Sequence, residues 1–591
     1  MAGTGSGLSW AADRWRLFGL ALRVAGRIPG TWARRLVRGP GWRVPKPERL
    51  LFAPKDLRTS DPTVAQDIGD GILAFAGWTA ETGGLSPFAV AAPSTAWSRA
   101  LYGFDWLRHL RAADTPAARA TAQALIAEAI GQRRRELDRG VGRETRVVAR
   151  RLISFLCQSP LVLNGAERSF YQGFLRAIGR CVVALERDAV SAERPSDRLA
   201  ATIALSYAAL CCSGFENRLR RATRYLTVEL GRQILDDGGH VSRHPGMLVD
   251  VLLDLLPLRL LYASRNIEAP EALGRAIDRM MPMLRYLRGG GRELALFNGM
   301  GPTAVDEVAT LFSYDGAHRA APAYAEPSGY ARLESGPVTL IADTGRAPPI
   351  PSSAFAHAGC LSFELWSEGA RIVVNMGTPR VAGPLRDSTR RTPAHSTLGL
   401  ADISSATFLD DATGMVARWL RGRLGPALVS GPTKVDVERR TDDNGWTVCT
   451  ASHDGYLGRF GVTHERTWRL EPTGARIEGE DRLRGAGTEE RALPPKVIRF
   501  HLHPAVAVAQ VPDGPALVLS REGQSWRFEA ESTPVSVEPS FYFGGAEGAR
   551  PSSQIVLRVE GTAGDEAGPV RWSFDRIQAP SGLPPDAAAP A

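Results

Sequence analysis

Between residues 115 and 288 the apolar positions return at helical spacing, and the polar residues between them punctuate helices rather than strands. Thr115-Pro116 supplies an N-cap with proline at the first helical position, ahead of an Ala-rich run. Leu226, Leu230 and Ile234 share one face, and Gly238-Gly239 predict the stop of that helix. Another helix is expected after Pro245, through Leu248, Leu252, Leu255 and Leu256, and a further one through Ile277, Met281, Leu284 and Leu287. Successive helices with short connections predict antiparallel helical hairpins.

From Gly329 the period falls to two. Residues 338–341 and 361–365 read as strands, and the second turns at Ser367-Glu368-Gly369 into Ile372-Val373-Val374. Residues 526–529 and 555–559 continue the pattern, and many short strands at even spacing predict a sandwich of antiparallel sheets. The chain is therefore α+β and multidomain. It divides into a basic segment over 1–48, a helical domain over 49–325, a β-sandwich over 326–578 and a Pro- and Ala-rich tail, expected to be disordered, over 579–591.

Composition narrows the partners. A chain of 591 residues with 44% hydrophobic content can bury large cores in at least two domains. The six cysteines show no CxxC spacing and sit mostly in apolar runs, so they read as reduced core residues. Net charge is +9, carried mainly by Arg, whose planar fork suits carboxylate, sulfate and phosphate. An anionic partner is expected, and a nucleic acid is not. The arginine runs at 133–143 and 218–224 read as solvated helix faces or as a basic surface for such a partner.

The apolar run 17–22 is too short to span a bilayer, Arg23 interrupts it, and no persuasive secretory signal follows. Arg14, Arg16, Arg23, Arg27, Arg34, Arg35 and Arg38 interleave with Trp15, Phe18, Leu22 and Trp32. Two readings fit: a helix lying on a membrane surface, or one docked on the protein itself.

Candidate chemistry centres on histidine. Only ten occur, and His240 and His244, with Arg243 between them, fall in the helix-connecting stretch 236–245. Loops of this kind expose side chains at the mouth of a helical array. In the β half, His357, Asn375 and His395 stand at the ends of three neighbouring strands. Two imidazoles and one oxygen suit Zn²⁺, and a hydrogen-bonded structural pair suits them equally. His501 and His503 alternate on a strand and read as surface or sheet residues. Trp106 reads as a sugar-stacking residue or as core, and Asn298 as a cleft residue or an Asn-Gly turn.

The order of a Gly-Gly-His loop, a His-x-x-x-Leu-Ser-Phe-Glu-Leu strand, a Val-Val-Asn-x-Gly strand and Ala-His-Ser-Thr-Leu resembles the heparinase II/III family of polysaccharide lyases. That resemblance, densest over 330–405, implies an incomplete α/α toroid followed by a two-sheet β-sandwich, with an acidic polysaccharide in the cleft between them. It also implies β-elimination at a uronate, a structural zinc held by two His and one Asp, and a location in the cell envelope or periplasm, with the cytoplasm as the alternative where an export signal is not persuasive. His357 and His395 match those histidines, while Asn375 replaces the aspartate. The family's tyrosine is absent from its motif, where Pro245-Gly246-Met247-Leu248 stands. The reconstruction that survives gives Arg243 to the substrate carboxylate and His240 or His244 to the proton. Glu216 or Asn217 stands in for an expected Asn-His pair. A glycan-binding protein of the same architecture that does not cleave is the alternative.

Overall fold

The computed structural model describes residues 11–26, 44–316, 320–381, 383–485, 493–511, 514–560 and 568–577. The expected tail over 579–591 and part of the basic segment fall outside them.

In the helical half, three helices buried on nearly every side, Thr145–Cys157, Pro195–Cys211 and Pro245–Ser264, begin at equal intervals along the chain. Between them run amphipathic helices, Arg168–Ser191 and Glu216–Gln233, followed by Glu271–Tyr286. This difference sorts the layers: the helices buried on nearly every side line the inside of the array, and one-sided helices cover it. Thr115 caps its helix as expected, its hydroxyl accepting from Ala118 N–H. The helix through Leu226 ends at Gln233, earlier than the glycines suggest. Ile234 turns extended there and bridges His240, while Gly238, at φ 89°, makes the return. A hairpin, Ile72–Phe75 with Trp78–Glu81, also lies in this half.

The β half starts at Tyr330 and stacks two eight-stranded antiparallel sheets. One runs from Val435–Thr441 to Ala507–Gln510, the other from Val535–Tyr542 to Tyr330–Ser335. Their inner faces meet in an aromatic core of Phe363, Trp468, Phe500, Trp526, Trp572 and Phe574. Inside it lies a wholly buried ion pair, Arg466 with Asp481, to which His464 and Trp572 also bond.

The two halves share a core. Tyr330, Ile341, Trp366, Val374 and Tyr542 pack into the helical cluster, Tyr286 Oη donates to Tyr330 O at 2.8 Å, and Arg332 reaches the Tyr286 and Arg288 carbonyls. At Gly289, a Cβ would strike the indole of Trp366, so only glycine lets the linker run this close.

A separate small cluster seats the N-terminal helix Ala11–Gly26. Leu20 and Val24 are buried against Leu409, Leu420 and Leu424, the last two on the helix Gly414–Leu424, and Asp13 accepts from Thr407 Oγ1. The opposite side of the same helix leaves Trp15, Phe18 and Leu22 at 74%, 54% and 58% exposure. The helix is thus docked on the protein through its inward face, and its outward face leaves three large apolar side chains uncovered. Among the described residues no helix is long and apolar enough to cross a membrane.

Candidate functional site

The loop between Glu216–Gln233 and Pro245–Ser264 lies at the seam between the halves, but its residues have different fates. His240 is buried, with Nδ1 on Ser242 Oγ at 2.7 Å and Nε2 on Gln233 Oε1 at 3.2 Å. Both ring nitrogens are used, and burial pushes the imidazole down to about 3. Arg243, in the left-handed region at φ 59°, sends its guanidinium into the seam rather than the cleft. It donates to the carbonyls of Ser328, Gly329, Gly345 and Arg346 and to the Asp343 carboxylate. This corrects its expected role: its fork is filled by the fold, and it is a fastening between halves.

His244 is placed differently. As N-cap of Pro245–Ser264, it stacks its ring on Phe355 at 4.9 Å and 24°, and its buried Nδ1 has no hydrogen-bond partner among the described residues. Gly246 makes room, since a Cβ there would come within 3.0 Å of the imidazole. Burial, with Arg386 and then Arg146 nearby, holds His244 at about 3. A base so hard to protonate has little proton affinity to offer.

Two residues beyond Phe355, His357 faces His395 with ring centroids 5.1 Å apart. The His357 backbone N–H donates to Asn298 Oδ1 at 3.2 Å, and its Nε2 meets Thr378 Oγ1 at 3.3 Å. His395 lies over Gly359, with Nδ1 3.3 Å from Asn375 Oδ1. The structure therefore brings His244, His357, His395, Asn375 and Asn298 together. Asn298 is turn and hub at once: it sits at φ 46°, and its Nδ2 donates to Tyr330 Oη and Asp343 Oδ2.

Zinc fits this trio poorly. All three side chains are neutral and buried, and Asn375 Oδ1 is already occupied by the Ser396 N–H at 3.0 Å. Among the described residues no group of three or more His, Cys, Asp or Glu could hold a metal. A dication here would lack the anionic ligand that offsets its charge.

Other expected residues lie elsewhere. Glu216 and Asn217 open the eighteen-residue helix whose far end leads into the histidine loop, about 27 Å away along its axis. There Glu216 accepts from Gly214 N–H, so neither joins the site. Trp106 is core, 2% exposed, with its indole N–H on Leu101 O and its ring against Phe104. His501 is buried within its sheet, bonding Ser540 Oγ and Pro393 O, and His503 lies just past the strand end against Tyr542.

A cavity of about 270 Å³ opens where the three inner helices begin, lined by Arg58, Arg146, Arg150, Ser196, Met247 and Asp254 among others. Met247 donates its N–H to the His244 carbonyl, which places the cavity beside that ring. Arg58 and Arg150 are committed to Asp254, at 2.8 Å each. Arg146 has only a loose contact, 3.7 Å to the exposed Asp250. Arg386, on Pro384–Thr389, makes no ion pair among the described residues and is held below its ordinary basicity by burial and by Arg99. Phe355, Thr378, Arg146 and Arg386 escape sequence reading because no motif or period marks them.

Residues 317–574 match the family model described as heparinase II/III-like, C-terminal. FtsZ-localized protein C of Caulobacter vibrioides (strain NA1000 / CB15N) is 29% identical over 549 residues, covering 90% of this chain and 92% of that protein. Among solved structures, heparinase III is similar at TM-score 0.65, with 11% identity over 91% of this chain and 86% of the other. The heparan sulfate lyase of Pedobacter heparinus is similar at 0.57, with 14% identity over 95% and 89%. At such identities the likeness is one of fold, that of a helical toroid with a β-sandwich.

Proposed function

We propose that this chain, whose residues 317–574 match the heparinase II/III-like C-terminal family, keeps that fold's cleft for binding an acidic glycan and does not carry out β-elimination there. One observation carries the reading: the groups assigned to the proton and the carboxylate are engaged elsewhere. Arg243 is filled by four carbonyls and Asp343, and His240 has both nitrogens bonded. The nearby Tyr330 is tied down, donating its hydroxyl proton to Arg243 O, and burial raises it well above the usual phenol range. An anion at the mouth would instead meet Arg146 and Arg386, the two least committed guanidinium groups beside His244. Elimination on uronate polymers is tested by the ultraviolet absorbance of an unsaturated product. None is expected, while binding of the same polymers is; product formation lost on His244→Ala would restore the lyase reading.

A second reading concerns place. The relative's name describes a protein that localises with FtsZ, and we carry to this chain the proposal that it works there, rather than in the periplasm the family resemblance implies. The exposed Trp15, Phe18 and Leu22, flanked by Arg14, Arg16 and Arg23, support contact with an anionic membrane surface through the N-terminal helix. A fluorescent fusion that fails to follow FtsZ in dividing cells overturns this placement.

A further inference from the structure

The hairpin Ile72–Phe75 with Trp78–Glu81 is a two-stranded sheet of its own, so packing on its neighbours holds it in place. Leu73 and Phe75 are buried, Leu73 O accepts from the Trp97 indole N–H at 3.0 Å, and the Phe75 and Trp97 rings lie 5.7 Å apart. Trp97 belongs to the helix Thr95–Gly103, so this face of the hairpin is turned toward the helical body. Residues directly opposite in an antiparallel pair share a face. Trp78 is opposite Phe75, and Ala80 is opposite Leu73, which puts the Trp78 indole on that inward face.

Leu73, Phe75 and Ala80 are at most 9% exposed, yet Trp78 is 41% exposed. Among the described residues its ring meets no aromatic ring or guanidinium, and its indole N–H has no hydrogen-bond partner. An inward-facing indole with nothing beneath it overhangs an opening, and the turn shows which one. Ala76 and Gly77, both at positive φ, form the two-residue loop, and a Cβ on Gly77 would come within 3.1 Å of Val381 Cγ2 in the β half. The hairpin tip therefore reaches from one half to the other, landing just ahead of the helix Pro384–Thr389 that carries Arg386. Burial and Arg99, on the helix beneath the hairpin, together hold the Arg386 guanidinium below its ordinary basicity, and Arg386 in turn acts on the buried His244. The tip thus stands at the mouth where those arginines gather.

An uncommitted indole face beside guanidinium groups suits a pyranose, whose C–H face can lie on the π system while its carboxylate or sulfate turns to an arginine. We propose that Trp78 is the stacking platform for a sugar ring of the acidic glycan, seated beside Arg386. The inference rests on the glycan-binding reading and adds to it that the ring is recognised as well as the charge. Charge alone would hold any polyanion equally.

The test measures binding of the full chain to hyaluronan and heparan sulfate oligosaccharides, and to polyglutamate, by calorimetry at low and high salt. Trp78→Ala is expected to weaken whichever oligosaccharide binds by about tenfold, by the same factor at both salt concentrations, because stacking is not screened. Trp78→Phe should keep most of the affinity, and polyglutamate should not distinguish the variants. Thr79→Ala, on the outward face of the same strand, should bind as the natural chain does. If Trp78→Ala does not fold, Trp78→Leu, apolar but without a π face, replaces it with the same expectation. Unchanged oligosaccharide binding by the variant overturns the proposal. So does an equal loss in Thr79→Ala, which marks a disturbed hairpin, or in polyglutamate binding, which marks a charge effect. A natural chain that binds neither oligosaccharide defeats the glycan reading itself, an outcome distinct from binding that ignores residue 78.

Discussion

Arg243 and Asp343 form an ion pair across the seam between the helical and β halves, both side chains more than nine-tenths buried. One residue belongs to a helix-connecting loop and the other ends the strand Val338–Asp343, so the pair fastens two independently built layers. Breaking a buried pair by removing one partner typically costs about 3–5 kcal/mol, because the remaining charge is stranded. Arg243→Ala should lower unfolding stability by that order in denaturant titration, and Arg243→Lys should rescue little, since one ammonium cannot reach four carbonyls and a carboxylate. A variant of natural stability that had lost glycan binding would return Arg243 to the cleft.

Acid should loosen the molecule well above the carboxylate range. His240, His244 and His395 are held at about 3 and His501 at about 4, each by burial, against an ordinary 6.5. Folded, they stay neutral; unfolded, they take protons below about 6.5, so protons favour the unfolded chain. The stabilisation is complete above that pH and drains as pH falls toward 4 and then 3, by up to about 1.4 kcal/mol per pH unit for each histidine. Thermal melts between pH 7.5 and 4.5 should show the loss beginning near 6.5. A flat profile down to pH 5 would mean these rings are hydrated in solution.

Affinity for an acidic glycan should depend on Arg146 and Arg386 rather than Arg243. Hydrogen bonds to a charged group contribute roughly 1.5–3 kcal/mol, so Arg386→Gln or Arg146→Gln should weaken binding about tenfold or more in calorimetry. The effect should shrink at high salt, as it must for a partly exposed contact. Arg220→Gln, on the exposed outer wall, is the control. Equal losses in all three would point to diffuse charge and no defined mouth.

Vesicle binding should follow the outward face of the N-terminal helix. Replacing Trp15 and Phe18 by Ser should abolish sedimentation with vesicles containing phosphatidylserine while leaving the melting temperature unchanged, because neither ring packs into the cluster around Leu20. Leu20→Ser should instead lower helix docking. If Trp15→Ser/Phe18→Ser chains still sediment, the contact lies elsewhere.

Much of this architecture is legible from spacing. The switch at Gly329 from a period near four to a period of two gives the division between halves, and Thr115-Pro116 marks a helix start to the residue. The candidate site is legible only in part. Asn375 and His395 converge because Val374 and Leu398 pair with the same strand, Lys496–Leu502, whereas His357 arrives on the loop after the short helix Ile350–Phe355, before its own strand begins at Phe363. Arg243 misleads: an arginine between two histidines in a loop suggests a ligand, and nothing local reveals carbonyls some hundred residues away that fill its fork. Glu216 and Asn217 mislead for a related reason, since the helix they begin carries the chain to the far end of the toroid. Arg386 is missed because a short helix without periodic pattern gives no reason to prefer it over the other arginines of a strongly basic chain.

The two-faced helix at the N-terminus has a mechanical consequence. A hydrophobic anchor on a loose leash lets its cargo tumble, but this one is gripped by the body it would anchor, through Leu20 and Val24. Landing on a surface by the outward stripe would therefore set a bearing as well as an attachment. The angle of the sandwich and the height of the cleft mouth above the bilayer would be fixed by the geometry of one small apolar cluster.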